Sequence, residues 1–343
     1  MRNGLGFDDV LAVPKQSVLD SRSHADTSTT LVRDVELDLP IVSAAMDTVT
    51  EQEMAQAIAD AGGAGFIHRY MNIEEQQEHI SSVDGTVIGT VGVDEPVVQN
   101  ARKLYESGAD AVCINVAVGN HKRVCEAVSK LSDSEIPIIA GNIATSGGAR
   151  SLVRAGADAV KVGIGSGSHC TTRKNTGFGM PQVTAVREAK KAVAGHGVQI
   201  ISDGGIREPG HVAKAIIAGA DVVMIGGMLA GCEESPPPVQ KVNGTPMKAT
   251  RGMASAEARA NREEDNSVKK QTKQASVEGE TCWTEYEGPV AREMAKFKKH
   301  LQSSISYAGA RSLQEMKLNG ELIQHSENVS NNRGVNGDSH QRR

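Results

Sequence analysis

The sequence predicts an α/β chain closed into a (β/α)8 barrel, with a flap after the eighth strand and a disordered C-terminal tail. Eight short runs rich in β-branched residues and alanine recur along it, most of them starting about 22 to 26 residues apart. Each ends in Gly, Ser, Asn or Asp, and a polar-apolar stretch with helical periodicity follows. Aromatic residues are only 3%, so the core has to be built from Val, Ile, Leu, Ala and Met.

The runs, in order, are "PIVSAAMD" (40–47), "GAGFIHR" (63–69), "TVIGTVGV" (86–93) and "AVCINVA" (111–117), then "PIIAGN" (137–142), "AVKVGIG" (159–165), "QIISDGG" (199–205) and "VVMIGGM" (222–228). Between them lie helix-like segments such as "EQEMAQAIADAG", "VVQNARKLYESGAD", "GGARSLVRAGAD" and "PGHVAKAIIAGAD". The recurring "AGAD" or "SGAD" reads as a helix C-terminus that turns through Gly into the next strand. Strands alternating with helices pair in parallel through right-handed crossovers. Eight units suit a closed barrel better than an open doubly wound sheet, which stays as the alternative.

After the eighth run the pattern changes. Residues 233–249, "EESPPPVQKVNGTPMKA", read as a short polar excursion, and the stretch from Arg251 to Glu280 is densely charged with both signs. It is expected to be a solvated loop or a lid over the barrel mouth, giving a flap of about 250–283. "VAREMAKFKKHLQSSI" returns as the last barrel helix, so 1–324 is expected to be one catalytic domain. Residues 325–343 carry almost no large apolar groups and are expected to be disordered.

The bulk numbers exclude several classes. A net charge of −5 with no basic stripe argues against a nucleic-acid partner. No run approaches the length of a membrane span, and "MRNGLGFDDVLAVP" lacks a signal-peptide core, so a cytoplasmic protein is expected. The five cysteines, Cys113, Cys125, Cys170, Cys232 and Cys282, are scattered without disulfide or zinc spacing. Cys113 stands in an apolar run and reads as a small core residue.

Cys170 is different. It sits in "GIGSGSHCTTRKNTGFG", in the wide loop after the sixth strand and beside Thr171, Thr172 and Arg173. Barrel chemistry sits at the C-terminal ends of strands, and the loops after the last two strands bind phosphate through backbone N–H groups. "SDGGI" and "GGMLAG" occupy those two places. A thiolate next to an anion site points to covalent catalysis on a phosphorylated substrate.

The same residues resemble a known family. "GIGSGSHCTTR" resembles the catalytic loop of the IMP dehydrogenase and GMP reductase family, and "FDDVLAVP", "SAAMDTVTE", "GNIAT", "SDGGIR", "MLAGCEESP", "RGMAS" and "YAGAR" follow in the family's order over roughly residues 5 to 325. The resemblance implies that Cys170 attacks C2 of a purine nucleoside monophosphate during hydride exchange with NAD or NADPH. It gives Thr172 a role in proton transfer and Glu278 a contact to the base. It assigns substrate binding to Ser43, Ser168, Asp203, Gly204, Gly205, Gly226, Gly227, Thr250, Gly252 and Met253. Asn115, Gly163, Ile164 and Gly165 would meet the dinucleotide. The carbonyls of Gly165, Gly167 and Cys170 match a monovalent-cation site, with potassium the expected ion. Family barrels commonly form tetramers.

The family's two reactions share the covalent step and then part. The dehydrogenase oxidises IMP with NAD and hydrolyses the adduct to XMP. The reductase uses NADPH and releases ammonia from GMP. Resembling dehydrogenases activate water with an Arg-Tyr pair on the flap; here Arg262 is followed by Glu263, and Arg262 is the candidate for that place. The absence of the dehydrogenases' usual inserted regulatory modules, "SDGG" and Gly227 favour the reductase. "SAAMDTVTE", "GGIR", "RGM", "EESP" and "YAGAR" are more numerous and tip the expectation to the dehydrogenase. Asn115 replaces a usual aspartate, Thr250 replaces a tyrosine, and His169 next to the cysteine is unusual. A purine-binding paralogue without turnover is the alternative from another class.

Overall fold

In a computed structural model that describes residues 3–94, 96–168, 170–253 and 281–325, the eight runs form eight parallel strands. They are β1 (Ile41–Ser43), β2 (Ala64–Phe66), β3 (Val87–Val91), β4 (Ala111–Asn115), β5 (Ile138–Ile143), β6 (Ala159–Val162), β7 (Gln199–Asp203) and β8 (Val222–Ile225). Consecutive strands pair in parallel and β8 pairs with β1, which closes the barrel. Eight helices alternate with them: α1 (Gln52–Asp60), α2 (Ile73–Ser81), α3 (Val97–Glu106), α4 (Lys122–Leu131), α5 (Ser146–Ala155), α6 (Gln182–Val193), α7 (Pro209–Ala218) and α8 (Val290–Tyr307). This is a TIM barrel, as the repeat predicts.

The "GAD" repeat has a double use. Gly108, Gly156 and Gly219 end α3, α5 and α7 with φ of 104°, 99° and 128°, where a side chain would be strained. The aspartate that follows then clamps the preceding strand. Asp110 Oδ2 accepts the Val87 N–H at 2.8 Å, Asp158 Oδ2 that of Ile138 at 2.8 Å, and Asp221 Oδ2 that of Ile200 at 2.9 Å. These three carboxylates are therefore structural.

Side chains alternate across each strand, so every second residue faces the barrel interior. Ala64, Ala111, Ala159 and Val222 form the lowest layer, and Val42, Ile88, Ile139 and Ile201 the next. Phe66, Cys113 and Met224 belong to the third, where the same alternation places Lys161 on β6. Four side chains per layer from alternate strands is the usual filling of such a barrel. The hairpin Thr29–Val32/Val35–Leu37 adds Leu31, Val32 and Leu37 to this interior from the strands' N-terminal side.

Residues 233–253 are more ordered than the sequence suggests. Strands Gln240–Val242 and Thr245–Arg251 pair antiparallel, and Thr281–Glu285 adds a third strand, with Thr250 opposite Cys282. Asn243 and Gly244, at φ of 50° and 86°, make the tight turn of the hairpin. Asn-Gly is the strongest short hairpin signal, and "VNGT" carries it. The flap is thus rooted on two neighbouring strands. The predicted disordered tail beyond His325 lies outside the described residues.

Candidate active site

The loop after β6 brings the thiol to the barrel mouth. Cys170 is half-buried, its N–H donates to the Gly167 carbonyl at 3.2 Å, and its Sγ lies 3.1 Å from Thr172 Oγ1. Thr172 opens the short Thr172–Thr176 helix, so backbone geometry fixes the hydroxyl beside the sulfur. That spacing lets the hydroxyl pass a proton to or from a group held at the thiol. By contrast, burial at the barrel centre pushes the Cys113 thiol up to about 12, against the opposing pull of Lys161. Burial does the same to Cys232, also about 12, with Glu234 adding to it. Neither is a nucleophile at neutral pH.

At the next level up, Asp203 at the end of β7 sits in a closed ring of hydrogen bonds. Its Oδ2 accepts from Lys161 Nζ at 2.6 Å and from Asn142 Nδ2 at 2.8 Å. Lys161 also donates to Asn142 Oδ1. The Asn142 amide reaches on to the Gly163 carbonyl at 2.7 Å, joining the ring to the start of the cysteine loop. A register shift between Gly141 and Ile143 in β5 turns Asn142 towards this ring.

The glycines let these pieces touch. A Cβ on Gly163 would stand 2.0 Å from the Asp203 carbonyl, and one on Gly204 would stand 2.8 Å from Ser166 Oγ and 3.1 Å from the Gly167 nitrogen. Any side chain there would push the cysteine loop off the end of β7. Ser166 Oγ completes the join by donating to the Asp203 carbonyl at 3.0 Å. Gly204 and Gly205 follow Asp203 at the end of β7, and Gly226 and Gly227 follow Ile225 at the end of adjacent β8. Ser168 is exposed on the cysteine loop, and Ile164 and Gly165 precede it.

The flap root is tied to the mouth. The Arg251 guanidinium bonds the Asp47 carboxylate, and the Arg251 N–H donates to Thr48 Oγ1 at 3.3 Å. The Asp47 N–H meets Met253 Sδ at 3.3 Å, and Tyr70 Oη donates to the Met253 carbonyl at 2.9 Å. Gly252 and Met253 are therefore held by the loops after β1 and β2. Lys248, buried one turn of sheet away, donates to the carbonyls of Cys232, Glu233 and Ser235. It fixes this sheet to the loop after β8.

One of the sequence-predicted residues sits apart. Ser43 lies between Val42 and Ala44, which both face the interior, so its hydroxyl faces the helix layer and the structure does not bring it into the mouth. Thr250 Oγ1 is buried and unpartnered among the described residues. Arg262, Glu278 and His169 lie outside the described residues. Asn115 ends β4 on the interior side, half-buried and without a side-chain hydrogen bond among the described residues, which fits a ligand hydroxyl. The Gly167 carbonyl accepts the Cys170 N–H at 3.2 Å, which leaves one of its two lone pairs for a cation.

Sequence reasoning missed Lys161 and Asn142. The signal was present: a lysine in the apolar run "AVKVGIG", and an asparagine closing "PIIAGN".

Comparison with known proteins agrees with this geometry. A family model described as the IMP dehydrogenase / GMP reductase domain matches residues 4–335. GMP reductase from Salmonella arizonae is 38% identical over 334 residues, covering 91% of this chain and 92% of its own. Inosine-5'-monophosphate dehydrogenase from Nitrosopumilus maritimus is 31% identical over 458 aligned positions, covering 95% and 96%. A solved structure of a cysteine-to-alanine variant of GMP reductase from Trypanosoma brucei, in complex with guanosine 5'-monophosphate, superposes with a TM-score of 0.92 at 27% identity over 98% of both chains. With a family model matching nearly its whole length and relatives of 31% and 38% identity covered almost throughout, the chain belongs to the IMP dehydrogenase / GMP reductase family of oxidoreductases.

Proposed function

We propose that the protein is a GMP reductase, converting GMP to IMP and ammonia with NADPH as hydride donor. The observation that carries this reading is the contrast between its relatives. The Salmonella arizonae reductase is 38% identical to this chain, whereas the Nitrosopumilus maritimus dehydrogenase is 31% identical and a Cryptosporidium parvum dehydrogenase, which aligns over 362 positions, 32%. The absence of an Arg-Tyr pair between residues 254 and 280 points the same way, because hydrolysis of the adduct needs activated water and reduction does not.

In this reading the Cys170 thiolate adds to C2 of the guanine base. The 2-amino group takes up protons and leaves as ammonia, so C2 remains bonded to sulfur as a thioimidate. NADPH, when bound, would supply the hydride that C2 accepts. The C2–S bond then breaks, IMP leaves, and the thiolate is regenerated. Thr172, 3.1 Å from the sulfur, hands protons to the departing amine, and Glu278 contacts the base. Asp203 accepts from the ribose, and Ser168, Gly204, Gly205, Gly226 and Gly227 hold the phosphate through backbone and hydroxyl donors. Asn115 serves the dinucleotide's ribose.

The dehydrogenase is the second reading, favoured by "SAAMDTVTE", "EESP" and "YAGAR". Paired assays of reduced-nicotinamide absorbance decide between them, one with GMP and NADPH and one with IMP and NAD, with Cys170→Ala as control. Loss of absorbance with GMP, absent in the variant, supports the reductase. A gain with IMP and NAD would replace it with the dehydrogenase, and would make Arg262 the residue that positions water. Nucleotide binding without either signal would leave a binding protein.

A further inference from the structure

Lys161 is the one charged side chain placed in the apolar upper layer of the barrel, with Phe66, Cys113 and Met224 as its layer mates. Its side chain is only 4% exposed. Burying an ammonium costs several kcal/mol, and replacing a buried ion pair by apolar groups is often neutral or stabilising. Packing alone therefore does not explain a lysine here.

Its contacts do. Lys161 Nζ and Asn142 Nδ2 both donate to the same oxygen of Asp203, at 2.6 and 2.8 Å. Asn142 is itself fixed by Lys161 and by its bond to the Gly163 carbonyl. With Oδ2 held from two sides, the carboxylate plane has one orientation. Oδ1 takes no hydrogen bond among the described residues and stays within reach of solvent. A carboxylate pinned through one oxygen, offering the other as an acceptor at a barrel mouth, is built for a ligand hydroxyl.

We infer that Lys161 is a positioning residue for nucleotide recognition: with Asn142 it locks Asp203 so that Oδ1 meets the ribose hydroxyls of the purine nucleotide. The inference rests on the purine-nucleotide reading above and extends it to two residues to which the sequence reading gave no role. Lys161 touches neither the base nor C2 in this scheme. It acts through Asp203.

The test is a comparison of dissociation constants for GMP, 2′-deoxy-GMP and 3′-deoxy-GMP, measured calorimetrically on the wild type, Lys161→Met and Lys161→Arg. The wild type is expected to prefer GMP over at least one deoxy form by about tenfold or more, the scale of a hydrogen bond to a charged acceptor. Lys161→Met should bind GMP more weakly and show a preference within about twofold. Lys161→Arg, which keeps the charge and the donors, should recover most of the preference. In turnover, Lys161→Met should raise KM for the nucleotide more than it lowers kcat. A merely structural lysine would change stability and leave the ribose preference as it was. An unchanged preference in folded Lys161→Met overturns the inference, as does a wild type that binds GMP with no ribose preference. A wild type that binds no purine nucleotide overturns the functional reading itself, a separate result. If Lys161→Met fails to fold, Asn142→Ser removes one of the two bonds to Oδ2 and should reduce the preference in the same direction.

Discussion

Cys113 and Cys170 belong to one barrel, and their surroundings give them opposite chemistry. Cys113 stands on β4 with no exposed surface, in one layer with Phe66, Met224 and Lys161, and burial pushes its thiol up to about 12. Cys170 stands a few residues past the end of β6, half-buried, on a loop whose glycines bring it against the end of β7 and whose next turn supplies the Thr172 hydroxyl. Desolvation disfavours the charged form of any group, so the interior keeps a thiol as a thiol. The mouth leaves Cys170 open to a reacting group.

Exchanging one cysteine at a time tests this contrast most severely. Cys170→Ala should lower turnover by more than about 10³-fold with the melting temperature almost unmoved. Cys113→Ala should do the reverse, losing stability on the order of 1 kcal/mol from the small cavity while turnover persists. Parallel kinetics and thermal melts of the two variants check both halves. If Cys113→Ala lost activity while fully folded, the division between interior and mouth would be wrong.

A smaller effect is expected at the neighbouring hydroxyl. Thr172→Val keeps the shape of the side chain and removes the oxygen 3.1 Å from the sulfur. Turnover should fall by roughly 10²- to 10⁴-fold, the usual weight of general acid-base help, with nucleotide affinity nearly kept. An unchanged rate would remove Thr172 from the proton path. Smaller again is the difference in labelling order. Iodoacetamide followed by peptide mapping should modify Cys170 before Cys113 and Cys232, and GMP should protect it; early labelling of Cys232 would contradict its burial.

The barrel was readable from sequence because its signal is local and repeated. Each strand is a short β-branched run, and each "GAD" marks both a helix end and the carboxylate that clamps the strand before it. Cys170 was readable because glycine, serine and threonine around a cysteine are unusual. Lys161 was not, since whether a strand residue faces in or out depends on register, and register is a property of neighbouring strands. The direction Ser43 faces was hidden for the same reason: one position along β1 separates the interior from the helix layer. The flap-root sheet was missed for another reason. Its strands are short and polar, and only Asn243–Gly244 betrays the hairpin.

The mildest test of the same physics concerns His211, which lies against Gly205 at the end of β7. Its side chain is fully buried, stacked on Phe7 with ring centroids 5.1 Å apart, and its Nδ1 lies 3.2 Å from the Gly205 carbonyl. Nε2 sits 3.1 Å from Glu208 and 3.5 Å from Asp8 without hydrogen-bond geometry to either. Burial lowers the imidazole's pKa, the nearby Glu208 and Asp8 carboxylates oppose that, and Lys214 reinforces it. The folded state therefore favours neutral His211, while the unfolded chain takes up a proton near pH 6.5. Its contribution to stability is complete above about pH 6.5 and is lost as the pH falls through that value towards the folded pKa. Melting temperatures at about pH 7.5 and about pH 5.5 should drop further for the wild type than for His211→Gln, whose side chain does not titrate. Equal drops would mean that other groups, not this imidazole, set the acid sensitivity. A larger drop for the wild type would place His211 beside Cys113 as a group the barrel holds neutral. Lys161, buried like these two, has the Asp203 carboxylate at 2.6 Å.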